Sequence, residues 1–114
     1  MAVRYLLRLP VPEKARGTEP ALAFRSDGAE GFAEELQAAL RGRGLFERWR
    51  AMQDDPEDID EGMGEVDPDA VVTGRQEDLH IALEATTSLP GAVFRHRLRL
   101  LAGSNWELAD VRPA

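Results

Sequence analysis

The stretch VFRHRLRLL, Val93 to Leu101, decides how the C-terminal half of this chain is read. Phe94, His96, Leu98 and Leu100 alternate with Arg95, Arg97 and Arg99, the period of two expected from a strand with one buried face and one wet face. Working outward, DLHIALEAT alternates in the same way, with Leu79, Ile81, Leu83 and Ala85 on one side and His80, Ala82, Glu84 and Thr86 on the other. NWELADV, Asn105 to Val111, is a third such segment. The connections TSLPG and AGSN have turn composition. Together these segments predict a C-terminal three-stranded antiparallel meander, and AVVT, Ala70 to Thr73, adds a short strand that Gly74 ends.

Requiring apolar residues to share a face fixes a register, because a slip of one residue turns every side chain over. Leu100 then lies opposite Trp106 and Leu98 opposite Leu108. The same register sets His96 opposite Asp110 on the core face and Arg99 opposite Glu107 on the other. In the preceding hairpin one acceptable register sets Ala85 opposite Phe94 and Leu83 opposite His96, and it brings Glu84 against Arg95.

The N-terminal half carries a strand and a helix. Val3, Tyr5, Leu7 and Leu9 alternate with Arg4, Leu6 and Arg8, and Pro10 and Pro12 stop the strand. A proline-rich connection follows, and Ala21 to Arg25 is read as a short edge strand. Asp27 and Glu30 have the spacing of a capping pair. Ala29, Phe32, Ala33, Leu36 and Leu40 then recur every three or four residues, the stripe of a helix that faces a core. A second short helix, LFERWRAM, puts Leu45, Trp49 and Met52 on one side. The predicted architecture is an α+β domain over residues 1–114, a sheet of four or five mainly antiparallel strands with one or two helices on one face. Phe32, Leu36, Leu40, Leu83, Leu98 and Trp106 are expected in one core.

Charge is distributed unevenly. Nine of the 21 acidic residues lie between Gln53 and Asp69 with no base among them, so the rest of the chain holds 14 basic and 12 acidic residues. This segment, QDDPEDIDEGMGEVDPDA with its final Ala70, reads as a flexible, self-repelling acidic loop over 53–69. It fails the calcium-loop template, since setting Gly62 or Gly64 at the sixth position puts Ile59 where a carboxylate is required. A looser Ca²⁺ or Mg²⁺ site is the alternative to a solvated loop, and no metal site is expected from the segment.

Several chemistries are excluded. The chain has no cysteine, hence no disulfide, thiolate nucleophile or cysteine-ligated metal, which suits the cytoplasm. Its N-terminus meets Arg4, Arg8 and Pro10 before a secretory apolar region can form, and no apolar run approaches the ~18 residues of a membrane span. No phosphate loop or zinc-binding histidine pair occurs, Ser88 and Ser104 fall outside any nucleophile motif, and no cofactor is expected.

Two constellations remain. His96 with Asp110 offers an acid–base pair, the basis of an enzyme reading, although a histidine on an apolar strand face is ordinarily a core residue satisfied by its neighbour. Arg95, Arg97 and Arg99 form a basic sheet face that Arg4 and Arg8 join if the first strand enters the sheet. That face has no aromatic residue to stack bases, which disfavours nucleic acid. The arginines are therefore read as a binding surface for a protein partner, in a non-catalytic interaction or regulatory module that is free to form a homodimer. Their charge is opposite to that of the acidic loop, so the two features are expected to attract one another.

Overall fold

A computed structural model describes all residues, Met1 to Ala114. The chain runs β1 (Val3–Leu9), α1 (Ala29–Arg41), α2 (Gly44–Ala51), β2 (Val71–Glu77), β3 (His80–Thr87), α3 (Gly91–Ala102) and β4 (Glu107–Pro113). The four strands form one sheet in the order β2-β3-β1-β4, antiparallel throughout. Strands β1 and β2 are thus parallel with β3 between them, and β3 and β4 are parallel with β1 between them. This is the split βαβ, or ferredoxin-like, arrangement, in which each helical connection crosses over one strand. The α+β class and the antiparallel sheet agree with the sequence reading, while the helices number three.

The middle strand of the expected meander is α3. Val93, Phe94, Arg97, Leu98, Leu101 and Ala102 are its buried residues, spaced for a helix rather than a strand. Pro90 stands just before it, and Gly103 follows with φ of 66°, a conformation that favours glycine. With α3 removed from the sheet, the register argued for the two C-terminal hairpins does not exist. β4 pairs with β1, and β3 lies between β1 and β2.

The strand over Ala21–Arg25 is also absent. Leu22 and Ala23 donate to the Glu19 carbonyl and Phe24 donates to Leu101, so that backbone is committed to a turn and to the end of α3. Helix α1 starts from Gly28, not from an Asp27 cap. Its Glu35 reaches back and accepts from the backbone N–H groups of Arg25 and Ser26. In α2 the second buried residue is Phe46, and Met52 is exposed.

The core lies between the helices and one sheet face. Tyr5, Leu7 and Leu9 of β1 and Ile81, Leu83 and Ala85 of β3 meet Phe32, Leu36 and Leu40 of α1 and Phe94, Leu98 and Leu101 of α3. Tyr5 stacks on Phe94 with centroids 4.1 Å apart, and Phe24 meets Phe32 edge to face. Each buried leucine, isoleucine or phenylalanine contributes roughly 1.5 to 3 kcal/mol by leaving water. Five of the six expected core residues are fully buried. Trp106 is half-buried and donates its indole N–H to Gly103.

Two polar anchors tie the acidic segment to this core. Arg97 is fully buried, and its guanidinium donates to the carbonyls of Ala39, Met63 and Glu65 at 2.7, 3.0 and 2.6 Å. No carboxylate reaches it. Burial, and then the like charge of Arg43, lower its pKa from the usual arginine value. Asp67 is buried and accepts from the Thr87 hydroxyl and the backbone N–H groups of Ser88 and Asp69. Burial alone would raise its pKa, but these donors hold it below the usual aspartate value. The expected attraction between arginines and the acidic segment therefore takes a different form at Arg97, through main-chain carbonyls, while Arg43 and Arg50 take Glu61 at 3.2 and 2.5 Å.

Candidate binding face of the sheet

The face of the sheet opposite the helices has no covering layer. Alternation places Arg4, Leu6 and Arg8 of β1 on it, together with Ala82, Glu84 and Thr86 of β3, because their neighbours in sequence are buried. β2 extends past Gly74 to Glu77 and contributes Thr73, Arg75 and Glu77. The glycine is a point of close approach, not a strand end. A Cβ there would lie 2.5 Å from the Ala29 carbonyl and 2.9 Å from Leu83, so its absence lets α1 begin directly against the strand.

The register sets these side chains in rows across β4, β1, β3 and β2. Glu107, Arg8, Ala82 and Arg75 form one row, and Asp110, Leu6, Glu84 and Thr73 the next. A third holds Arg112, Arg4, Thr86 and Val71. A bulge at Ala109, between the partners of Leu6 and Leu7, brings Asp110 onto the open face with Glu107. Ala82 and the bulge residue Ala109, both small and near Leu6, leave a cleft of about 470 Å³ rimmed by Arg8, Arg75, Glu77 and Glu84.

The ion pairs on this face are loose. Arg4 lies 3.5 Å from Glu84, Arg8 3.7 Å from Glu107, and Arg75 3.6 Å from Glu77, all longer than an ordinary hydrogen bond. His80 sits 3.7 Å from Glu77 at the same end. By contrast Arg112 holds Asp110 at 2.8 Å, and Arg112 together with the Val111 N–H lowers the Asp110 pKa. The rim thus keeps unspent donors and acceptors.

Each sheet edge has outward-facing N–H positions that are capped or absent. The Ala114 N–H bonds to Ala2, so by antiparallel alternation residues 113 and 111 turn their backbone groups away from β1. Pro113 has no N–H, and that of Val111 is taken by Asp110 at 2.8 Å. On β2 the Val72 N–H is taken by the Gln37 side chain. These are standard protections against an added strand.

The arginines grouped by the sequence are divided by the fold. Arg4 and Arg8 lie on the open face, where they take the Glu84 and Glu107 that the strand reading assigned to Arg95 and Arg99. Arg95 and Arg99 are exposed on α3, and Arg97 is inside. His96 and Asp110 do not meet. His96 is half-buried in the helix layer, edge to face with Trp49 at 4.4 Å, while Asp110 lies beyond the sheet. Burial, followed by the charges of Arg97 and Arg99, lowers the His96 pKa. Its Nδ1 is buried without a partner. Arg75 and Glu77 were missed as site residues because Gly74 was read as the end of that strand. The alternation of Val71, Thr73 and Arg75 was the available signal.

No cluster of three or more histidine and acidic side chains is arranged to hold a metal ion. No helix is long and apolar enough to cross a membrane. Compared with family models, curated proteins and solved structures, the chain has no match.

Proposed function

We propose that the protein is a small non-catalytic interaction or regulatory module whose working surface is the open face of the sheet. The observation that carries this reading is the cleft among Leu6, Ala82 and Ala109, rimmed by charged groups whose hydrogen-bonding capacity is unspent. The capped N–H groups of Val72 and Val111 weigh against an added strand at those positions. Fold alone assigns no activity, since this topology serves many. The open face has no phenylalanine, tyrosine or tryptophan, so its charges suit a protein or small polar partner better than a nucleic acid. A reducing compartment such as the cytoplasm suits a chain without cysteine.

Proteins captured from the source cell would be purified singly and titrated into ¹⁵N-labelled protein. A partner should shift the amides of Leu6, Ala82 and Thr86, and replacing Arg4 and Arg8 together with glutamine should weaken it at least tenfold. Shifts confined to α1, α2 and α3, or undiminished binding by the variant, would overturn the proposal. A second copy of the chain is tested in the same spectra by dilution.

A further inference from the structure

The cleft can be read more closely from its lining. Arg8 and Arg75 are the two cross-strand neighbours of Ala82, one on each side, so their Cα atoms stand about 10 Å apart across the small side chain between them. Two guanidiniums reaching over an alanine leave space for one carboxylate, which each can hold with paired N–H donors. One step along β3 on the same face is Glu84, about 7 Å from Ala82. Beside both lie Leu6 and Ala109.

The rim is electrically balanced, Arg8 and Arg75 against Glu77 and Glu84. A plain anion held by the arginines would also face the two glutamates, and a plain cation would face the two arginines. A ligand that carries both charges satisfies both sets. The volume of about 470 Å³ falls toward the small end of the range for organic ligands, roughly 300 to 1,000 Å³.

We propose that the cleft binds a small zwitterion of the amino-acid class, with its carboxylate between Arg8 and Arg75, its ammonium at Glu84 and its apolar side chain over Leu6 and Ala109. This rests on the open face being the working surface, and it makes that surface responsive to a free amino acid. Binding exchanges the loose pairs Arg8–Glu107, Arg75–Glu77 and Arg4–Glu84 for closer ones, which costs little because exposed pairs at these distances are weak.

The test titrates each standard amino acid singly into the ¹⁵N-labelled full chain, then the amide and the N-acetyl form of the best binder. The expected result is saturable shifts at the amides of Leu6, Ala82 and Glu84, with affinity at least tenfold lower for both derivatives. Arg8→Gln and Arg75→Gln should each weaken binding at least tenfold, and Ala82→Leu, which fills the floor without touching a charge, should abolish it. Dispersed spectra of the variants report their folding independently. Silence from every amino acid, or equal binding of the N-acetyl or amide form, overturns the proposal. If protein partners still map to the open face in that case, only the zwitterion falls; if they map to the helices, the proposed working surface falls with it.

Discussion

Two segments of this chain look alike and fold differently. VRYLLRL, Val3 to Leu9, and FRHRLRL, Phe94 to Leu100, both alternate apolar or aromatic residues with arginine, yet the first is β1 and the second lies within α3. The difference is in their surroundings. β1 has seven residues before Pro10, too few for a stable amphipathic helix. α3 runs for 12 residues between Pro90 and Gly103, and Val93, Leu101 and Ala102 complete a helical stripe that alternation ignores. Two periods were compatible with the same seven letters, and the punctuation at their ends decided between them. The arginines follow suit: those of β1 reach water and loose partners, and one of those in α3 is buried.

The strongest test of this contrast compares Arg97 with Arg8. Arg97→Ala removes a buried cation, leaves the carbonyls of Ala39, Met63 and Glu65 without their donor and opens a void. The expected cost is about 3 to 5 kcal/mol by urea denaturation, while Arg8→Ala should cost under ~1 kcal/mol. Equal effects would mean that Arg97 is not inside the fold. Amide exchange should also rise from Met63 to Glu65 in the Arg97 variant, since that stretch loses its anchor.

Much of the fold was legible because its signals were local. β1, the stripe of α1 and the alternation of β3 could be read from single segments, as could the open-face positions of Arg4 and Arg8. What was hidden depended on contacts distant in sequence. A buried arginine contradicts the ordinary rule that charges face water, and only Ala39, Met63 and Glu65, brought together by the fold, make it tolerable. The extent of β2 was hidden because a glycine inside a strand and one at its end look the same until Ala29 is seen above it. The cleft could not be read at all, because its rows need the register of β1 between β3 and β4.

A smaller effect is expected at Asp67, the second anchor of the acidic segment. Asp67→Ala leaves the buried Thr87 hydroxyl and the Ser88 N–H without their acceptor, at a cost of about 1 to 3 kcal/mol. Because its native pKa lies below the unfolded value, the Asp67 contribution is full above the unfolded pKa and is lost as pH falls through the native one. The variant should therefore lose less stability on acidification than the parent. Matching acid titrations would show that Asp67 does not anchor the segment.

His96 gives a further pH signature, weaker because the ring is only half-buried. Its native pKa is lowered, first by burial and then by Arg97 and Arg99. Below the unfolded value of about 6.5 the unfolded chain takes up a proton that the native ring resists, so stability should fall as pH drops from there toward the native pKa. Thermal midpoints at pH 7.5 and 5.5 should differ less for His96→Asn than for the parent. In the strand reading His96 sits on the core face beside Asp110, whose carboxylate would favour the charged ring and remove or reverse this difference, which makes this a test of helix against strand.

The smallest expected effect belongs to β1 and completes the contrast. Arg4 and Glu84 lie 3.5 Å apart with 42% and 47% of their side chains exposed, so their attraction is shared with water. A double-mutant cycle with Arg4→Gln and Glu84→Gln should return a coupling of ~0.2 to 1 kcal/mol, falling as salt shortens the screening length from about 8 Å at physiological ionic strength toward 3 Å at 1 M. The same salt should leave the cost of Arg97→Ala unchanged, because that guanidinium is out of reach of dissolved ions and donates to neutral carbonyls. A coupling well above this range, insensitive to salt, would show that the open face is covered in solution. In that event Arg4 and Arg97 would no longer represent a wet and a buried arginine, and the covering group would have to be sought on the face where the cleft lies.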